Sequence, residues 1–323
     1  LPNADALFLT AIDPYGHELW RWTFPVNQLN QQTEQLSPLS SRPAYTETEN
    51  ELTVKANKRT FIFSKKDGQL KGVSVDNRKI SFANGPRFIG ARRADRSLDQ
   101  FYNHDDEKAK EKDRTYSEFP DAAVFTKLDV KEDGGNLVVT ANYKLGNLDK
   151  TQWTINPSGE LALDYTYNFS GVVDLMGIRF DYPEDQVISK RWLGAGPYRV
   201  WQNRIHGTQY DVWENDYNDP ISGETFTYPE FKGYFGDVSW MNIQTKEGTI
   251  SLTNETPDAY IGVYQPRDGR DRLLYTLPES GISVLNVIPP VRNKVNSTDL
   301  CGPSSQPKWV NGPQTGRVIF RFM

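Results

Sequence analysis

The run Leu161-Ala-Leu-Asp-Tyr-Thr-Tyr-Asn-Phe169 constrains the fold more than any other stretch. Leu161, Leu163, Tyr165, Tyr167 and Phe169 fall at every second position, with Asp164, Thr166 and Asn168 between them. A period of two is the mark of a β-strand with one face buried and one face wet. Shorter runs of the same kind recur at 6–12, 19–24, 52–54, 60–63, 137–143, 234–241, 249–253, 260–264, 282–287 and 318–322. Turn signals separate them, such as Asp13-Pro14-Tyr15-Gly16 and Asp67-Gly68. The 24 Gly and 20 Pro spread along the chain supply many more turns. No repeat of fixed period is present. Helix signals are thin: Asp105–Arg114 mixes charge signs with no apolar stripe and reads as a solvated loop or a short exposed helix. Residues 27–50 lose all periodicity and are rich in Gln, Ser, Pro and Glu, as a linker is. The expectation is an all-β chain divided near Thr46. Residues 1–46 form a short β fragment with its linker, and residues 47–323 form one large antiparallel β-sandwich.

Composition narrows the function. A chain of 323 residues with 16 Tyr, 16 Phe and 8 Trp can build a large core. Its net charge of -5 and pI near 5.4 lack the basic footprint of a nucleic-acid partner. No apolar run is long enough to span a membrane, and the start has no signal-peptide pattern. The opening Leu1-Pro2-Asn3, without Met, is expected of a mature or trimmed fragment. The single Cys301 excludes an internal disulfide and leaves the compartment open. His17, His104 and His206 are too scattered for zinc spacing, and there is no Gly-x-Ser-x-Gly elbow. Gly194-Ala-Gly196-Pro197 is not a phosphate loop, because Pro occupies the next position. No cofactor is expected. The one alternative is Ca²⁺, held through Asp95, Asp99, Asp105 and Asp106, against the reading of these residues as unoccupied acidic loops.

Chemistry concentrates in Arg191–Arg204, where Gly194, Gly196 and Pro197 make a tight turn beside Trp192, Trp201, Asn203 and Arg204. Ring faces cover the C–H faces of a sugar, and amides and guanidinium groups reach its hydroxyls. Trp192 is equally a core residue, whereas Trp201 precedes polar residues and reads as exposed and free to stack. Arg204 is either a sugar contact or a loop tie through Glu214 or Glu230. Trp309, within a loop rich in Pro, Gly and Ser, is expected to contact a sugar or a partner domain. Candidate acids and bases are His206, Glu214 and Glu230, whose plain alternative is turn chemistry. A glycosidase pair needs carboxyls at set separations, which sequence spacing does not establish.

Four segments in order resemble the C-terminal domain of family 2 β-galactosidases. Asn57–Leu70, with its "F-x-x-x-x-G-x-L" step, looks like that domain's first hairpin. Pro86–Phe88 with Arg92–Asp95 resembles the family's Arg-Ala-Pro-like turn before an acidic pair. Trp192–Pro197 with Asn203-Arg204 is similar to "W-x-G-x-G-P…D-R", and Tyr228–Gly233 with Asp237–Trp240 lies where the family has "P-Q-E-N-G-N-R". Asn203 replaces the family's Asp, and Phe231-Lys-Gly-Tyr234 replaces its Asn-Gly-Asn-Arg. The resemblance covers residues 47–323, and residues 1–26 look like the end of a preceding immunoglobulin-like domain. It implies a supersandwich of the galactose-mutarotase type. Such a domain packs on a separate catalytic barrel that supplies the two carboxylates, and it contributes a late aromatic, here Trp309, to the sugar site. The function so implied is an accessory, carbohydrate-binding domain of a β-galactosidase-like glycosidase. Its partners are carbohydrate and the barrel, in a periplasmic or extracellular enzyme. The alternatives are a free-standing carbohydrate-binding module and an aldose-1-epimerase-like enzyme.

Overall fold

A computed structural model describes residues 4, 6–25, 41–93, 116–219, 221, 231–266, 277–291 and 306–323. Among them the chain is all-β, with one turn of 3-10 helix at Glu184–Gln186. Strands β1 (Ala6–Ile12) and β2 (Glu18–Pro25) pair only with each other. A nine-stranded antiparallel sheet contains β10 (Val124–Asp133), β11 (Asn136–Lys144), β12 (Leu148–Ile155) and β13 (Leu161–Val173). Next across it come β21 (Lys308–Phe322), β18 (Gly248–Asn254), β17 (Trp240–Thr245), β15 (Val187–Gly196) and β16 (Gln209–Asp216). A ten-stranded sheet runs through β19 (Tyr260–Gly262), β20 (Ile282–Val287), β14 (Leu175–Asp181), β8 (Ala83–Arg93) and β6 (Leu70–Val75). It ends with β5 (Arg59–Ser64), β4 (Glu51–Ala56) and β3 (Ala44–Glu47), while β7 (Arg78–Ile80) pairs with β6 and β9 (Tyr116–Glu118) with β8.

The two large sheets face each other across one apolar core, the large antiparallel β-sandwich expected from the period-two runs. Leu161, Leu163, Tyr165, Tyr167 and Phe169 of β13 all bury on its inner face. Phe82, Phe180 and Phe320 form its centre, with Phe82 at 4.6 Å from Phe180 and 5.0 Å from Phe320 between ring centroids. Each such contact adds about 0.5–1.5 kcal/mol beyond area burial. Strand β21 is the fifth of nine, with β10–β13 on one side and β15–β18 on the other.

A second apolar cluster lies on the far face of the ten-stranded sheet. On β8, Phe88 enters the main core while Ile89 and Ala91 enter this second cluster; on β14, Met176 and Ile178 do the first and Leu175 the second. Successive strand residues point to opposite faces, so these strands are buried on both sides. Val200, Trp201, Tyr234, Leu277, Ile288 and Val291 cover that outer face.

Two sequence expectations change. The strand expected at 234–241 starts only at Trp240. Tyr234 and Phe235 instead make isolated bridges to Val200 and Ile261, because Gly233 and Gly236 flank them and Asp237 takes a left-handed φ of 49°. The sheet also begins at Ala44, which pairs with Lys55. The run Asp105–Arg114 and linker positions 27–40 lie outside the described residues. Among the described residues no helix is long and apolar enough to cross a membrane.

Candidate functional site

Strand β15 delivers the Trp192–Arg204 motif, and close backbone approach dictates its glycines. A Cβ on Gly196 would stand 2.4 Å from the Trp213 ring, and one on Gly233 2.0 Å from the Val200 carbonyl oxygen. Past Pro197 the chain leaves the nine-stranded sheet. Val200 pairs with Tyr234, and Phe235 pairs with Ile261 of β19, at the edge of the ten-stranded sheet. The motif therefore binds one sheet to the other.

Its side chains are used in that joint. Trp192 is 0% exposed, donates its Nε1–H to the Ala195 carbonyl at 3.0 Å and meets Phe235 edge-on at 5.0 Å. Trp201 is 5% exposed and lies edge-on to Tyr234 at 5.9 Å. Neither ring offers a face to a sugar: Trp192 takes the core place that was one half of its reading, and the exposed reading of Trp201 is corrected, because burial against the second cluster outweighs the polar neighbours that suggested exposure. Asn203 is likewise committed: its Nδ2 donates to the Val291 carbonyl and its Oδ1 accepts from the Val291 N–H, both at 2.9 Å. Gln202 accepts a place in the same joint, donating its backbone N–H to Pro289 O at 3.0 Å and its Nε2 to Gln306 O at 2.8 Å. Arg204 stacks over Phe231 at 4.3 Å and reaches toward Tyr198 at 5.9 Å. Its Nε is buried without a hydrogen bond.

Of the three candidate acids and bases, two lie among the described residues. His206 is exposed, and its carbonyl accepts the Tyr198 hydroxyl at 3.3 Å. Glu214 is exposed on β16 and lies 3.9 Å from Arg191, not from Arg204. Glu230 lies outside the described residues, as do the four aspartates considered for Ca²⁺. Among the described residues no group of three or more His, Cys, Asp or Glu is placed to hold a metal. Trp309 is the second residue of β21, not a loop residue; it pairs with Val172 and is 71% exposed. The Gln202–Gln306 bond ties the approach to β21 onto the motif loop.

Two cation pairs escaped the sequence reading. Lys190 and Arg199 are buried, and both lie near the Tyr264 ring, at 4.9 and 5.0 Å. Desolvation, then the neighbouring Arg199, lowers the Lys190 pKa to about 6. Its Nζ donates to the Asp216 and Asp219 carbonyls. Desolvation lowers Arg199 to about 10; it binds Asn218 Oδ1 at 2.6 Å, while its Nε and Nη1 have no hydrogen bond. On the outer face of the ten-stranded sheet, Arg87 and Arg179 stand directly opposite each other, Arg87 paired with Asp181 and Arg179 3.9 Å from Glu118. Nearby Asp121 has its pKa raised, chiefly by desolvation. Strand register reveals the second pair, and the shared Tyr264 ring the first.

A sequence model of the family described as "Beta galactosidase small chain" matches residues 55–289. No curated protein matches the chain. Among solved structures, the galactose 1-epimerase from Lactobacillus acidophilus NCFM aligns at 10% identity with a TM-score of 0.43, covering 88% of this chain and 99% of its own. The GalM/aldose epimerase homologue from C. elegans aligns at 8% identity with a TM-score of 0.38, covering 87% of this chain and 99% of its own. The family match takes in more than two-thirds of the sequence, including the motif that joins the two sheets, and the chain belongs to the β-galactosidase small-chain family.

Proposed function

We propose that this chain is the accessory part of a β-galactosidase-type glycosidase. It packs against a separate catalytic barrel, helps to shape the barrel's sugar pocket and stabilises the whole enzyme. The observation that carries this reading is the β1–β2 hairpin. Its register pairs Leu7 with Phe24, Leu9 with Trp22 and Ala11 with Trp20, so one face is a continuous apolar strip. Leu7, Leu9, Trp20, Trp22 and Phe24 are each about half exposed (45–57%). An isolated hairpin is marginal in water, and a contiguous apolar patch marks a surface that another body covers. A neighbouring domain of the same enzyme, packed on that strip, supplies the cover. Exposed Trp309 offers a further contact, to sugar or to the barrel.

The reading is tested with the purified chain on chromogenic galactosides, glucosides and xylosides, with mutarotation of galactose followed by polarimetry. No turnover is expected in either assay. Turnover that disappears in His206→Ala or Glu214→Gln would overturn the accessory role and make the chain an enzyme in its own right.

A further inference from the structure

Lys190 and Asn215 stand directly opposite each other on β15 and β16, the last two strands of the nine-stranded sheet. Both side chains turn inward, at 1% and 7% exposure. Cβ atoms in such a cross-strand position lie about 4.5–5.5 Å apart. On the other flank of Lys190 the register places Ile243 of β17, which is fully buried.

The two side chains share an acceptor. Asn215 Nδ2 donates to the Asp219 carbonyl at 2.8 Å, and Lys190 Nζ donates to the same carbonyl at 3.3 Å and to that of Asp216. The amine and the amide nitrogen are therefore neighbours around one oxygen atom. Desolvation, and then the charge of Arg199, bring the Lys190 pKa from 10.5 to about 6, so at neutral pH the group is an uncharged amine. Its two N–H bonds point at two carbonyls, which leaves its lone pair over. A desolvated amine beside a cation is an activated nucleophile. The Asn215 Oδ1 is buried and accepts no hydrogen bond, so its lone pairs are open to the proton that an attacked carbonyl takes up.

We propose that Lys190 and Asn215 are a self-modification site, at which the folded chain joins the two side chains through an amide bond. The Nζ lone pair attacks Cγ of Asn215 and forms the new C–N bond. The Cγ–Nδ2 bond breaks, one Nζ proton passes to Nδ2, and Nδ2 leaves as ammonia. No oxidant, reductant or second substrate is consumed. Asp219 and then Asp216 are the carboxylates whose charge acts on Lys190, and they are the groups to relay the proton. Two donors crowd the Asp219 carbonyl before the reaction, and one amide N–H remains to serve it afterwards. Among the described residues β16 pairs only with β15, so the link ties an edge strand to its neighbour by a covalent bond. It also closes residues 190–215 into a ring that contains the glycine turn of the motif. Until the bond forms, Lys190 titrates as a buried amine; afterwards it carries no ionisable proton.

The test incubates the purified 323-residue chain at pH 8 and follows its intact mass by electrospray spectrometry. The mass is expected to fall by that of one ammonia. A tryptic digest should then yield one branched peptide, uncleaved after Lys190 and linked there to Asn215. Lys190→Met and Asn215→Ala should each keep the full sequence mass, with circular dichroism as the folding control. The wild-type measurement decides even if a variant unfolds. A wild-type mass that stays at the sequence value throughout would overturn the proposal. So would a loss of ammonia that persists in folded Lys190→Met, which places it at another asparagine. Neither outcome bears on the turnover assay that tests the accessory role.

Discussion

Asn203 exchanges two hydrogen bonds with a single backbone unit, that of Val291, and so fixes the loop that covers the outer face of the ten-stranded sheet. Asn203→Ala leaves a partly buried N–H and a carbonyl without partners, a cost of about 1–3 kcal/mol. The expected result is a lower thermal midpoint by calorimetry. Asn203→Asp should recover about half of the loss, because its carboxylate still accepts from the Val291 N–H. The partner lies 88 positions away in sequence, and Gln306, the partner of Gln202, lies 104 away. This distance is why the sequence showed which residue types gather in the motif and not what they do there. Trp and Asn beside a glycine turn read equally well as a sugar platform or a structural joint, and only the long-range contacts decide.

Strand β13 was legible because one of its faces is core and the other is solvent, so its side chains alternate. Strand β14 was not, since Leu175 and Met176 are both buried, on opposite faces, and an element buried on both sides loses its alternation. Strand β10 failed differently: in Val124-Phe-Thr-Lys-Leu-Asp-Val-Lys-Glu-Asp133 most side chains are partly or fully exposed, and pairing with β11 holds the strand at the sheet edge. The β1–β2 hairpin was legible as an element, but its lack of packing was not. Among the described residues, its one ion pair with the body is Arg21 to Asp211, at 3.8 Å. Replacing Trp20 and Trp22 together by Ser is expected to reduce hydrophobic-dye binding and self-association of the purified chain, seen by light scattering. The unfolding midpoint of the sandwich should stay unchanged, since the two rings lie outside its core. A large drop in that midpoint would show that the hairpin packs on the sandwich and faces no other domain.

At the scale of the whole molecule, stability should depend on pH in two opposing windows. Burial moves Lys190 from 10.5 down to about 6, so between those values the unfolded chain holds a proton that the folded chain lacks. Stability therefore rises with pH through this window and falls as pH drops toward 6. Desolvation raises Tyr165 and Tyr182 from 10.0 to about 12, so above pH 10 the unfolded chain releases protons first and stability falls. Urea midpoints measured from pH 6 to pH 11 should climb and then decline. Lys190→Met should flatten the climb and leave the decline, which tyrosinate absorbance would report. The position of β21 carries a consequence for synthesis on the ribosome. The halves that flank it, β10–β13 and β15–β18, meet only through this strand, which spans Lys308–Phe322. While translation proceeds, each half has an open edge and no common centre, and the nine-stranded sheet closes only after Phe322 has left the exit tunnel. From the synthesis of β18 until that of β21, the nascent chain must keep two unpaired edges apart.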